Sequence, residues 1–360
     1  MSSRGFPPRR KPFSPGRGPL GRPARGARAA LAALAAAALL WGAPAAEPAQ
    51  KATLILNWLP GGAHAPLFYG RDKGFFRKEG LEVKIVGGRG SRDALARMQG
   101  GESAFALAEA SEIFSHRAGG FDTLGVMVYF ERSPNAILTL KRPDIRRLAD
   151  LAGRRIAAPR ASFPRMLFPE LRAGARISLT RIRWSNLAPS DLLPALIGGK
   201  VDAVASSSLA AHQYRKAAGR RGKELSVFPY AEAGVNPYSL VLVSMDSVLA
   251  KDASLARAFV RAAAASLAAA VERPREALET FLKANPTLGR ERIGAEWAAA
   301  LALIYPEEAR KGGLGKFREK RLKEMQAMLG RTRKLKFTGD VDDIYTNQFV
   351  PAARPRPGKL

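Results

Sequence analysis

The sequence predicts an α/β protein with a helical C-terminal region, and three observations carry that prediction. Short apolar runs alternate with helical runs from Thr53 to Ser244. The first of these, residues 53–86, fits a strand, a helix and a second strand into about 35 residues, the size of a βαβ unit. From Asp252 onward the strand pattern stops and only helical patterning remains.

Taken in order, Thr53–Asn57 is the first expected strand, and it runs into the loop Asn57-Trp58-Leu59-Pro60-Gly61-Gly62-Ala63-His64. A helical run from Leu67 to Glu79 follows, Gly80 stops it, and Leu81–Val86 is the second strand. Parallel strands need such a crossover, and the loop after the first strand falls at the edge where open α/β sheets bind ligands. Further strands are expected at Ala104–Ala108, Thr123–Phe130, Ala136–Lys141, Arg155–Ala158, Arg181–Trp184, Ala203–Ser206, Leu225–Pro229 and Ser239–Ser244. Helices fill the gaps at Arg92–Gln99, Glu112–Arg117, Phe163–Arg172, Asp191–Ile197 and Leu209–Ala217. Ser254–Val271, Arg275–Lys283, Arg290–Ile304 and Lys316–Leu329 then read as consecutive helices, punctuated by Pro274, Pro286, Pro306 and Gly312-Gly313. The Ala-rich helix after Ser254 resembles a membrane span in composition. Arg257 and Arg261 share one of its faces, which predicts packing against a sheet instead. Residues 351–360 read as a frayed basic tail.

A chain of 360 residues accommodates two domains, and its 46% apolar composition supports a real core. The formal charge is +28, but the first 28 residues hold eight Arg and Lys and no acid, so about +20 remains beyond them. Residues 1–45 read as a secretory signal: a basic start, the apolar stretch Ala29–Trp41, then Ala43-Pro44-Ala45 for the peptidase. The apolar stretch is shorter than the roughly 20 residues a membrane-spanning helix needs. The chain has no cysteine, which excludes thiol nucleophiles, disulfides, Cys-zinc sites and iron–sulfur clusters. It also excludes a lipid anchor on a cysteine after the signal, so the periplasm is the expected compartment.

The candidate chemistry sits at strand ends. Gly87-Gly88-Arg89-Gly90-Ser91-Arg92-Asp93 joins a strand to a helix and reads either as an anion cradle or as a tight, capped turn. It fails the dinucleotide fingerprint, because Asp93 stands where the third glycine belongs. Glu109 and Ser111 end an apolar strand, where Glu109 reads as a ligand acceptor or as a cap or ion-pair partner. Ser206, the Ser162–Arg165 junction and Tyr238 mark three more such ends. The candidate ligand-binding residues are therefore Trp58, His64, Ser91, Arg92, Glu109, Ser111, Ser162, Arg165, Ser206 and Tyr238. No pair among them stands out as acid and base, which favours a binding cleft over a catalytic centre. His64, His116 and His212 lack the spacing of a zinc site, and no Gly-x-Ser-x-Gly, phosphate loop or His-Glu-x-x-His occurs. No catalytic residue, metal or cofactor is expected. Lys and Arg are scattered rather than striped, so a nucleic-acid partner is not expected either.

Several segments together resemble the periplasmic substrate-binding proteins of ABC importers, in the family that takes nitrate, sulfonates, taurine and thiamine-pyrimidine precursors. Asp72-Lys73-Gly74-Phe75-Phe76-Arg77-Lys78-Glu79-Gly80-Leu81-Glu82-Val83 is similar to the family's most recognisable segment. Gly199-Lys200-Val201-Asp202-Ala203, Gly234-Val235-Asn236-Pro237-Tyr238-Ser239, the helix with Pro274-Arg275-Glu276-Ala277, and Asp340–Asn347 follow in the family's order. The resemblance implies a two-lobed clamshell of type II, each lobe a mostly parallel sheet covered by helices. Lobe 1 would hold 50–138 and 238–350, the latter with the C-terminal helices, and lobe 2 would hold 139–237. It further implies capture of a small-molecule ligand between hinged lobes, by a monomer that delivers it to permease and ATPase subunits at the inner membrane. Leu56-Asn57-Trp58 with Pro60 and His64 looks more like the thiamine-pyrimidine branch. In that reading Trp58 would stack on a flat heterocycle and Glu109 would accept from an exocyclic amine. Fungal relatives in the family are enzymes that make the pyrimidine from their own histidine with a cysteine-rich motif. A pyrimidine-precursor synthase is therefore the alternative, although this chain has no cysteine.

Overall fold

The computed structural model describes residues 49–160, 162–175 and 182–360. In chain order its first elements are β1 (Gln50–Ile55), α1 (Ala65–Asp72), α2 (Phe75–Lys78), β2 (Leu81–Val86), α3 (Ser91–Gln99), β3 (Phe105–Glu109), α4 (Ala110–Ala118) and β4 (Thr123–Val128). Next come β5 (Asn135–Leu140), β6 (Arg155–Ala157), α5 (Phe163–Met166), α6 (Phe168–Ala175), β7 (Arg183–Ser185), α7 (Pro189–Ile197), β8 (Ala203–Ser207), α8 (Ala211–Gly219) and β9 (Leu225–Pro229). The chain ends with β10 (Leu240–Met245), α9 (Asp246–Lys251), α10 (Ala253–Glu272), α11 (Pro274–Ala284), α12 (Arg290–Ile304), α13 (Glu307–Gly312) and α14 (Glu319–Arg333).

The strands make two five-stranded sheets with matching designs. The first has the order β2-β1-β3-β10-β4 and the second β7-β6-β8-β5-β9. In each, three strands pair in parallel and the fourth position is held by a strand running against both neighbours. The expectation of mostly parallel sheets holds for strand direction, while β10 and β5 make each sheet mixed. Those reversed strands are the ones by which the chain arrives from the other sheet, through residues 129–134 and 230–239.

The central strands β3 and β10 are buried on both faces, so they read as continuous apolar runs. Their side chains still alternate between two cores. Leu54, Phe105, Leu107 and Leu242 join Phe259, Val260 and Leu267 of α10 on one face of the first sheet. Ile55, Ala106, Ala108 and Val241 join Leu322, Met325 and Leu329 of α14 on the other. The second sheet is covered likewise, by Leu167, Phe168 and Leu171 on one face and by Leu192, Leu196 and Tyr214 on the other. The apolar helix α10 is thus a core helix, as expected, and Phe259 stacks on Phe105 with centroids 3.9 Å apart.

Several local expectations change. The run from Leu67 to Glu79 is two helices, because Gly74 takes φ = 77° between them. The run Phe163–Arg172 is also broken, into α5 and α6, with Pro169 in the first turn of the second. Helices α9 and α13 were not expected, and α14 starts at Glu319 rather than Lys316. Strand β5 lies wholly in the second sheet, so the expected division at 138/139 falls inside a strand. The C-terminal tail is docked rather than frayed: the Gly358 N–H donates to the Val271 carbonyl at 2.9 Å. The expected signal segment, residues 1–45, and Arg181 of the expected strand lie outside the described residues.

Candidate functional site

The carboxyl edges of the two sheets face a shared cavity of about 640 Å³. Backbone register shows why these residues meet there. Leu240 at the start of β10 pairs with Glu109 at the end of β3, and Asn135 at the start of β5 pairs with Ser207 at the end of β8. A reversed strand therefore begins where its parallel neighbour ends, bringing both chain crossings to the cavity wall. The loop after β1 supplies Asn57, Trp58 and His64, α5 supplies Phe163, and α12 adds Arg292 and Glu296.

Trp58 is 57% exposed and lines the cavity. A large exposed aromatic in a concave wall is the arrangement expected of a stacking platform. His64 is 4% exposed, and both ring nitrogens are engaged. The Gly61 N–H donates to Nδ1 at 3.2 Å, and Nε2 lies 3.0 Å from Asn57 Oδ1. Burial lowers its pKa to about 4, so the ring is neutral at physiological pH.

Glu109 closes the first sheet's end of the cavity. Its carboxyl accepts from the Ser239 hydroxyl at 2.9 Å. Burial raises its pKa to about 7, against the pull of that hydrogen bond. Glu296 also lines the cavity, accepting from the Gly62 N–H at 2.9 Å and from Arg292 at 2.8 Å. Among the described lining residues the charged ones are two carboxylates and one guanidinium, and that guanidinium is spent on Glu296. The cavity of this basic chain is therefore not a basic site.

Of the ten candidate residues, Trp58, His64 and Glu109 line the cavity and seven do not. Ser91 stands behind the wall, its hydroxyl accepting from the Glu109 N–H at 3.0 Å. Arg92 is exposed and pairs with Glu112 at 3.0 Å. Ser111 is buried in α4. Ser162 precedes α5, with its hydroxyl enclosed and no hydrogen-bond partner among the described residues. Arg165 donates to the Ala158 carbonyl at 3.2 Å and lies over the Trp184 ring. Ser206 faces Tyr214, whereas its neighbour Ser207 reaches the cavity. Tyr238 is buried beneath the Arg321 guanidinium at 3.9 Å, whereas its neighbour Ser239 reaches the cavity. The last two misses are single-residue slips: in β8 such a slip reverses the face, and Tyr238 and Ser239 lie in the crossing just before β10.

Sequence reasoning missed Asn57, Asn135, Ser207, Gln213, Ser239, Arg292 and Glu296 as lining residues. The Gly87–Gly90 segment proves to be a packing turn, not part of the cavity wall. The Gly88 N–H donates to the Trp58 carbonyl at 3.2 Å, and a Cβ there would stand 2.0 Å from the Leu56 carbonyl oxygen. Among the described residues no cluster of three or more His, Asp or Glu could hold a metal ion.

The sequence profile of the family described as NMT1/THI5 like matches residues 62–277. The formylaminopyrimidine-binding protein of Halalkalibacterium halodurans is 24% identical over 237 residues, which cover 66% of this chain and 71% of that protein. The riboflavin-binding protein RibY of Chloroflexus aurantiacus is 25% identical over 331 residues, covering 86% of this chain and 89% of that protein. Among solved structures, the periplasmic aliphatic sulphonate binding protein SsuA of Escherichia coli superposes with a TM-score of 0.63 at 17% identity. That superposition covers 82% of this chain and 96% of SsuA, and it shows the periplasmic-binding-protein fold.

Proposed function

This chain belongs to the NMT1/THI5-like family, and from that premise we propose that it is the periplasmic solute-binding component of an ABC importer, specific for a heteroaromatic amine. Its ligand is a flat nitrogen heterocycle of the thiamine-pyrimidine kind, handed to a membrane permease and its ATPase without chemical change. We divide the chain at its two crossings, so that lobe 1 holds residues 49–128 and those after 239, and lobe 2 holds the sheet between them. Ligand touching both lobes favours the closed arrangement by the difference in its affinity for the two states. A micromolar dissociation constant corresponds to about −8.2 kcal/mol, within reach of one stacked ring and a few hydrogen bonds.

The observation that carries this reading is the chemistry of the wall: Trp58, Phe130 and Phe163 beside two carboxylates, with the lone arginine already paired. A sulfonate or nitrate would meet Glu109 and Glu296 with no free cation among the described lining residues. An amino-heterocycle instead finds aromatic faces and an acceptor. The formylaminopyrimidine-binding relative supports the same direction. The volume, about 640 Å³, exceeds what one ring fills, which supports a second reading in which the guest is a larger fused heterocycle of riboflavin's kind. A synthase reading fits less well, since a histidine to be consumed would not be buried with both nitrogens engaged.

Calorimetry with 4-amino-5-hydroxymethyl-2-methylpyrimidine, formylaminopyrimidine, riboflavin, taurine and nitrate tests the proposal. Micromolar binding of one of the heterocycles, with no heat from taurine or nitrate, is expected. Tighter binding of either anion would overturn it.

A further inference from the structure

We propose that His64 is a positioning residue rather than a ligand contact: it fixes the Asn57 side-chain amide so that the NH₂ faces the cavity, making this wall a hydrogen-bond donor that selects a ring-nitrogen acceptor. The proposal rests on the reading of the cavity as a heteroaromatic site.

Three groups fix the amide. The Gly61 N–H can only donate, and it points at Nδ1 from 3.2 Å, so Nδ1 carries no proton. A neutral imidazole then has its proton on Nε2, which lies 3.0 Å from Asn57 Oδ1. Oδ1 is an acceptor, so the Nε2–H donates to it. The amide is planar, which sends Nδ2 the other way, and among the described residues Nδ2 has no partner. Asn57 lines the cavity. Turning the amide over would set its NH₂ against the Nε2–H, donor against donor, so the imidazole enforces one orientation.

The device is held in turn by backbone and side-chain groups of the same wall. The His64 N–H donates to the Gly61 carbonyl at 2.9 Å, closing the short turn Gly62–His64, and the Gly62 N–H is anchored on Glu296 at 2.9 Å. Burial keeps the ring neutral above about pH 4, so the orientation survives across the physiological range. The cavity thus presents a donor at Asn57 and a carboxyl at Glu109. A 4-aminopyrimidine offers an unprotonated ring nitrogen to such a donor. The matching pyrimidin-4-one carries N–H at its amide nitrogen and offers a donor there instead.

The test uses the full chain and two probes, 4-amino-5-hydroxymethyl-2-methylpyrimidine and 5-hydroxymethyl-2-methylpyrimidin-4-one. The native protein is expected to favour the amine by about tenfold or more, the worth of one hydrogen bond. His64→Leu frees the amide and is expected to erase most of that preference. His64→Gln, whose amide can still donate at the Nε2 position, is expected to keep it. Equal preference in the native and Leu proteins would overturn the proposal. Long-range ¹H–¹⁵N spectra of the native imidazole give a readout independent of ligand and of variant folding. An Nε2-protonated ring supports the positioning role; the other tautomer, or a charged ring at pH 7, overturns it. If neither pyrimidine binds, the ligand reading fails, and the tautomer still decides the role of His64.

Discussion

Glu109 shows how one residue joins stability to recognition. Its carboxyl keeps a proton to about pH 7, because burial penalises the charge more than the Ser239 hydrogen bond relieves it. In the unfolded chain the same group ionises near 4.5. Between those values the native state binds more protons, so stability falls as pH rises through the window. Glu109→Gln is expected to flatten this dependence and to raise stability at pH 8 by about 3 kcal/mol, measured by urea unfolding at pH 5 and pH 8. Above pH 7, where Glu109 is ionised, the same variant should weaken an amine-bearing heterocycle, because a charged acceptor is lost. An equal pH slope in both proteins would refute the assignment. Trp58 separates the two properties the other way. With 57% of its surface exposed it contributes little to folding, so Trp58→Ala should leave the melting temperature unchanged. Ligand affinity should drop by at least about 1 kcal/mol in calorimetry, if the indole is the stacking platform.

At the scale of elements, the loop after β1 owes its shape to a helix more than 200 residues away in sequence. The turn Gly62–His64 lies directly on α12: a Cβ at Gly62 would stand 2.5 Å from both the Ile293 carbonyl oxygen and the Trp297 nitrogen. Both are backbone atoms, so neither can swing aside. Gly62→Ala is expected to destabilise the fold by about 1–3 kcal/mol in urea titration and to weaken ligand binding in parallel. A neutral outcome would mean that loop and helix are not in contact. This dependence also explains what the sequence could and could not reveal. The alternation of strands and helices, the Trp58 loop and the strand-end Glu109 were legible, because local patterning and the carboxyl-edge rule determine them. Glu296 was not, since only tertiary packing seats the Gly62 turn on α12 and brings this carboxylate to the cavity. Ser207 and Ser239 were missed by one position each, because strand pairing at the end of β8 and the path of the crossing into β10 settle which of two neighbours faces the guest. Gly74 was legible as part of a family segment, yet its left-handed backbone, which splits α1 from α2, follows from φ alone.

For the whole molecule, the relation between the two sheets depends on the crossings at 129–134 and 230–239, and one side chain ties both. Arg321 of α14 donates to the carbonyls of Glu131 at 2.7 Å, Asn236 at 2.8 Å and Pro237 at 3.3 Å, while its guanidinium covers the Tyr238 ring. The Ser133 N–H completes the link by donating to Asn236 Oδ1 at 2.8 Å. Beside this node the Glu131 carboxylate is 3% exposed and lies 3.9 Å from both Arg318 and Arg321. Burial pushes its pKa up, and those two cations pull it down. Helix α14 then reaches the second sheet's covering helix α6, where Arg331 holds Glu170 through two bonds of 2.9 and 2.8 Å. These two links differ in worth. Arg331 is 61% exposed, so its pair is screened, and Arg331→Ala should alter stability by less than about 1 kcal/mol. Arg321→Ala strips three carbonyls of their donor and leaves Glu131 with one cation, so a loss of about 3 kcal/mol is expected. It should also loosen the angle between the lobes proposed above. Because the chain has no cysteine, two introduced cysteines, one on α3 and one on α7, would carry spin labels at unique sites. In the ligand-free protein the label-to-label distance distribution should be narrow with Arg321 and broad with alanine, while the Arg331 variant keeps the narrow one. If Arg321→Ala unfolds the chain, Arg321→Lys, which retains charge but not the three-way donor geometry, should show the broadening at smaller loss of stability. Distributions that coincide in the native, Arg321→Lys and Arg331→Ala proteins would show that the crossings hold their angle without α14.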